Sequence, residues 1–216
     1  MENLSGPDTI KDKLITRFDK ILRVATGQIS KKRRDLPGTR EADLLMKSWE
    51  KRVSGNLMRV NHSGELCAQA LYLGQSCFSR EETTFLCLVG AALEEADHLH
   101  WCSQRLDELD AKPSKLNLLW VSGAWIMGIV LGAVGDRASL GFVEETERQV
   151  VDHLRSHLLK LPKSDLRSRS IISVMLQDED THATTARANG GKLPPIFFRQ
   201  IMAFQARVMT TVSYKL

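Results

Sequence analysis

Six residues stand out by type and spacing: Glu65, Glu95, His98, Glu147, Glu179 and His182. Two of the glutamates open a Glu-x-x-His motif, Glu95 to His98 and Glu179 to His182. Each motif trails a single glutamate at a similar interval: Glu95 follows Glu65 by 30 residues, and Glu179 follows Glu147 by 32. Residues i and i+3 share a helix face one turn apart, so each motif offers an oxygen and a nitrogen side by side. Carboxylates are hard, bridging ligands, and imidazole suits iron. Two helices giving one Glu each, and two giving Glu-x-x-His, form the ligand set of a two-iron site inside a helical bundle. Four glutamates would offset the charge of two ferrous ions, and a buried charge requires such compensation.

Each part has a plainer reading. A lone Glu-x-x-His on a helix is commonly a surface pair. Here the faces argue otherwise. Glu95 shares its stripe with Leu88, Ala91, Ala92, Leu99 and Cys102; Glu179 with Ile172, Met175, Leu176, Ala183 and Ala186; Glu147 with Leu140, Val143, Val150, Val151 and Leu154. A carboxylate inside an apolar stripe needs a partner. Glu65 has a more mixed face, with Met58, Asn61, His62, Ala68, Gln69 and Tyr72. The rival is a bundle with buried Glu–Arg or Glu–His pairs, but few arginines fall on these stripes. Glu144, one turn before Glu147, is an alternative ligand. Glu94 adjoins Glu95 but has no histidine three residues later, and His62, His100 and His157 have no usable ligand spacing.

These residues need long helices to hold them, and the apolar period of about 3.6 residues predicts an all-α chain. A first body helix is expected from about 42 to 79, with a break near Gly55 or Gly64, and a second from 82 to 109. A third covers 137–160, and a fourth runs from a Ser164 N-cap to Asn189-Gly190-Gly191. A last helix runs to about 213, with Pro195 in its first turn. Between Lys115 and Asp136 lie twenty uncharged residues, 116–135, long enough to cross a bilayer. A crossing would put the two halves of the ligand set on opposite sides of the membrane. The segment must instead enter and leave on one face, either as the buried long crossover of a ferritin-like four-helix bundle or as a monotopic attachment dipping into one leaflet. Trp120 and Trp125 would then sit near the interface.

Residues 1–40 carry ten Lys/Arg against five Asp/Glu, whereas the remaining residues carry 20 against 21. The excess positive charge therefore belongs to an N-terminal arm, densest at Lys31-Lys32-Arg33-Arg34, preceding a domain over 41–216. Within the arm, Ile10, Leu14, Ile15, Phe18, Ile21 and Leu22 predict an amphipathic helix that packs on the domain or lies on a membrane. The arm lacks the aromatic interleaving of a nucleic-acid binder, so no nucleic acid is expected. The first residues have no apolar run of an export signal. Cys67, Cys77, Cys87 and Cys102 have no CxxC spacing and are expected to be reduced and structural.

Four stretches carry a family resemblance: Arg59-Val60-Asn61-His62-Ser63-Gly64-Glu65, Glu94-Glu95-Ala96-Asp97-His98-Leu99, Thr146-Glu147-Arg148-Gln149-Val150 with His153-Leu154, and Asp178-Glu179-Asp180-Thr181-His182-Ala183. In that order and spacing, the chain resembles the demethoxyubiquinone hydroxylase family of ubiquinone biosynthesis, particularly its bacterial members, from about residue 42 to the end. The resemblance implies a ferritin-like fold, two iron ions per chain, and hydroxylation of the demethoxyubiquinol ring with O₂. It favours Glu147 over Glu144, because the interval to His153 matches, and makes His153 a candidate for a residue just behind the ligands. Some relatives have tyrosine after that histidine; Leu154 stands here, so no tyrosine role carries over. The expected partners are demethoxyubiquinol, O₂, membrane lipid through 116–135, and other proteins of ubiquinone biosynthesis. The expected location is the cytoplasmic face of the bacterial cell membrane. Two other readings remain open: a di-iron oxidase or ferroxidase of a different substrate, and a non-catalytic membrane-bound helical scaffold.

Overall fold

The computed structural model describes residues 10–25, 34–38 and 46–216, and among these it is helical with no strand. The helices are α1 (Ile10–Ala25), α2 (Ser48–Ser76), α3 (Glu82–Glu108), α4 (Asn117–Val134), α5 (Asp136–Lys160), α6 (Leu166–Ala188) and α7 (Ile196–Lys215). Helices α2 and α3 pack as one hairpin, α5 and α6 as another, and α3 meets α6 between them. This is the expected four-helix bundle, with α4 as the long connection between the hairpins. Lys31, Lys32 and Arg33 of the basic run, and the side chains of Ile10 and Leu14, lie outside the described set.

The core has two layers. One gathers Leu71, Tyr72, Phe85, Leu88, Leu140, Val143 and Ala186. The other gathers Met58, Trp101, Leu106, Leu154, Ile171 and Met175. Every bundle helix contributes to both, and Glu65, Glu95, Glu147 and Glu179 fall between its two contributions. The apolar stripes thus clamp a polar layer at mid-height. Beyond the second layer, buried Arg105 joins α3 to the start of α6, donating to Asp165 at 2.8 Å and to Ser168 at 2.8 Å. The buried arginine pairing weighed as a rival for the glutamates therefore exists, but with other carboxylates.

Several boundaries differ from expectation. Helix α2 runs unbroken through Gly55 and Gly64, because its interior hydrogen bonds and both core layers continue past them. Helix α6 is capped by Asp165, whose side chain accepts from the Ser168 amide at 2.8 Å; Ser164 instead donates to Glu50 at 2.9 Å. Pro195 is the N-cap of α7, with extended ψ, rather than a first-turn residue.

Helix α4 is not the buried crossover. It lies along α2 in the same direction, with Asn117 beside Ser63 and Gly132 beside Gln75. Only Gly128 and Gly132 are buried along it. Gly128 faces Gly74, and a Cβ on Gly128 would collide with the Leu71 carbonyl, while one on Gly132 would stand 2.6 Å from the Gln75 carbonyl. Close backbone approach thus replaces side-chain burial, which leaves Leu118, Leu119, Trp125, Ile126, Val130 and Val134 exposed. Helix α4 is long and apolar enough to cross a membrane by length and composition. Helix α7 closes the neighbouring flank. It buries Met202 and Ser213 and exposes Ile196, Phe197, Phe198, Ile201 and Phe204. Helix α1 packs Ile21 and Val24 into the first core layer and exposes Ile15, Phe18 and Leu22.

Candidate metal centre

The six expected residues come together. Ligand atoms of Glu65, Glu95, His98 and Glu179 lie within 4.8 Å of one another, and so do those of Glu95, Glu147, Glu179 and His182. All six are buried. Glu95 and Glu179 belong to both groups, so each spans the two positions. The other four divide between them: Glu65 and His98 on one side, Glu147 and His182 on the other. This follows from the helix geometry. The i, i+3 pairs of α3 and α6 face each other where those helices cross, and α2 and α5 supply one carboxylate from either flank.

Both histidines present the same atom inward. His98 Nδ1 lies 3.4 Å from Glu65, 3.2 Å from Glu95 and 3.1 Å from Glu179. His182 Nδ1 lies 3.4 Å from Glu95, 3.7 Å from Glu147 and 3.0 Å from Glu179. Their outer nitrogens are also matched. His98 Nε2 meets Asp178 at 2.9 Å, and His182 Nε2 meets Glu94 at 3.0 Å. Each outer carboxylate precedes the Glu-x-x-His glutamate of the opposite helix. A carboxylate on the outer N–H fixes the ring's tautomer and aims the inner nitrogen as a lone-pair donor, the usual arrangement behind a metal-bound histidine.

The electrostatics describe a cluster in need of cations. Burial, then the charges of Glu95 and Glu179, push Glu65 well above the usual carboxylate range. Burial and the Glu179 charge push Glu147 up to about 8. Burial opposes the charged form of both histidines, yet the surrounding carboxylates hold His98 and His182 protonated well above the ordinary imidazole range. Burial would also raise Glu95, but hydrogen bonds from His182 and His98 bring it below its ordinary value. Protons thus occupy this layer as cations would. The donor set fits two metal ions: four carboxylates and two imidazole nitrogens, all buried and turned toward one another.

Other residues fall elsewhere. Glu144 lies outside both groups and faces Arg148 at 3.9 Å. His62 is buried beside Asn117, at 3.4 Å. The His153 ring packs on His157 with centroids 3.9 Å apart, and its Nε2 is buried without a hydrogen-bond partner. The four cysteines are free thiols; Cys77, at the exposed end of α2, is not a core residue.

Sequence reasoning missed four residues around the cluster. Glu94 and Asp178 were legible only as a repeated pattern, an acid directly before each Glu-x-x-His. The buried hydroxyl of Tyr72 donates to Glu147, and Tyr72 stands two turns after Glu65 on the same face. Arg34 of the arm donates to Asp178 at 2.7 Å, a contact across 144 residues that no local signal announces.

Known proteins are similar to the chain over most of its length. Residues 52–213 match the family model described as "Ubiquinone biosynthesis protein COQ7". The chain belongs to this family. Among COQ7 relatives, a 3-demethoxyubiquinol 3-hydroxylase of Ralstonia pickettii is 47% identical over 216 residues, spanning 95% of this chain and 99% of the relative. One from Coxiella burnetii is 43% identical, spanning 99% of each. One from Cupriavidus taiwanensis is 46% identical, spanning 95% of this chain and all of the relative. The likeness therefore includes the arm as well as the COQ7 region.

Proposed function

We propose that this chain hydroxylates the ring of demethoxyubiquinol with O₂ in ubiquinone biosynthesis, using two irons held by Glu65, Glu95, His98, Glu147, Glu179 and His182. The observation that carries the reading is the pair of four-residue groups sharing Glu95 and Glu179. Glu65 and His98 would hold one iron and Glu147 and His182 the other, with Glu95 and Glu179 within reach of both. Bound iron supplies the reduction of O₂ and the oxidising power that ring hydroxylation needs.

The chain's own residues do the rest. Asp178 and Glu94 keep Nε2 of each histidine occupied, so Nδ1 stays directed inward. The Tyr72 hydroxyl engages one oxygen of Glu147 and limits how that carboxylate turns. The core layers above and below exclude water from the reacting centre. For His153 the reading keeps the candidate role of a residue behind the ligands; the feature that suits it is the buried, unpartnered Nε2.

The substrate has a long apolar tail, and the exposed apolar faces of α4 and α7 suit a membrane surface from which such a molecule enters. We place the protein as a monotopic attachment, on the cytoplasmic face of the bacterial membrane. A ferroxidase would have no use for these faces, and a pure scaffold would have no use for the buried ligand layer. The test is ring hydroxylation by iron-loaded protein in detergent or vesicles. His98→Ala and Glu179→Ala should abolish product while helical circular dichroism persists. Full activity in either variant would refute the assignment.

A further inference from the structure

Arg34 lies outside the matched COQ7 region, yet it reaches the back of the cluster. Its Nη2 donates to Asp178 Oδ2 at 2.7 Å, and that same oxygen faces His98 Nε2 at 2.9 Å. Nη2 itself stands 3.2 Å from His98 Nε2. The guanidinium is fixed in place. Its Cζ lies 4.6 Å above the Trp101 ring, and its Nε faces Asp97 at 3.4 Å. The Trp101 indole N–H donates to the Arg34 carbonyl at 3.2 Å, and the Trp101 ring lies 5.3 Å from that of His98. Four residues on, Arg167 donates to the Gly38 carbonyl at 2.8 Å. Gly38 adopts φ +82, and a Cβ there would press on Ser170 at 3.0 Å. The segment 34–38 is therefore strapped across α3 and α6.

A carboxylate on the outer N–H of a metal-bound imidazole makes the ring a stronger electron donor. A cation sharing that carboxylate withdraws part of this effect. Arg34 engages the very oxygen that faces His98, and its planar fork meets Asp178 and Asp97 together, which a lysine cannot do with one ammonium.

We propose that Arg34 is a positioning residue that tunes His98 through Asp178, holding the iron at the Glu65–His98 position toward the ferrous state. The proposal rests on the two-iron reading above. It predicts opposite effects from two substitutions on the same chain of contacts. Arg34→Ala leaves the full Asp178 charge on His98 and favours ferric iron. Asp178→Asn removes that charge and favours ferrous iron.

The experiment is anaerobic spectroelectrochemical titration of the iron-reconstituted full chain, with iron content and circular dichroism measured alongside. Arg34→Ala should raise the oxidised-to-reduced ratio at fixed potential about tenfold, a downward shift of about 59 mV for a one-electron couple. Asp178→Asn should shift the potential upward, and Arg34→Lys should fall between Arg34→Ala and the parent chain. Shifts of the same sign in Arg34→Ala and Asp178→Asn would mark a loss of geometry alone and overturn the proposal. So would an unchanged potential in Arg34→Ala, or loss of its iron. If the parent chain itself takes up no iron, the two-iron reading falls and the Arg34 role with it. If the parent holds iron and only these shifts fail, the Arg34 role falls by itself.

Discussion

At the residue scale, burial sets the state of the histidines. Those in the cluster are held charged by carboxylates, whereas His62, His153 and His157, outside it, are held neutral by burial. Burial, followed by the charge of Lys160, lowers His153 to about 4. Burial, followed by His153 and Lys160, lowers His157 to about 2. In the unfolded chain such groups take up a proton near pH 6.5. Below that pH the unfolded chain binds a proton at each of these two positions and the folded one does not, so their contribution to stability falls as pH drops from about 6.5 toward 4, by up to about 1.4 kcal/mol per pH unit for each histidine. Thermal unfolding between pH 7 and pH 5 should lose stability toward acid less steeply in His157→Gln than in the parent chain, since buried Glu65 and Glu147 add the same opposite slope to both. An identical slope in the variant would contradict the account. The six cluster residues were legible in the sequence because Glu and His are costly on apolar helix faces. Glu94, Asp178 and Arg34 were not, because acids beside acids and a cation in a basic arm usually face water. Only the meeting of α3, α6 and residues 34–38 gives them partners.

At the element scale, the close contact of α4 with α2 holds the crossover in place. Gly74, Gly128 and Gly132 bring two backbones together along this seam. Gly128→Val should force α4 off α2, an overpacking cost of about 1–3 kcal/mol that lowers the melting temperature. Gly123→Val is the control, since nothing lies within 4 Å of a Cβ there. Equal melting temperatures for the two variants would mean that the seam yields without cost. Helix existence and order were readable from the apolar period, and most ends fell within a residue or two of expectation. The side on which α4 packs was not readable: a uniformly apolar helix has no stripe to indicate its buried face. The cap of α6 moved from Ser164 to Asp165 because Ser164 found Glu50, a residue of another helix.

At the scale of the whole molecule, a buried polar layer and an exposed apolar flank coexist. The ligand layer lies between two core layers, while the outer faces of α4 and α7 carry large apolar side chains into solvent. Burying such faces in lipid is favourable by roughly 25 cal/mol per Å² of apolar surface. The full chain should co-sediment with anionic phospholipid vesicles, and the combined change Ile126→Ser, Val130→Ser, Val134→Ser should reduce the bound fraction severalfold. Unchanged binding would place the membrane contact elsewhere. The central claim concerns the layer beneath, and iron content tests it most directly. The chain is purified in mild detergent after anaerobic reconstitution with Fe(II), beside Glu95→Ala, which removes a carboxylate belonging to both groups. The account predicts about two irons per chain in the parent and their loss in the variant. A parent chain without iron, or a Glu95→Ala variant that keeps the full complement, would contradict it.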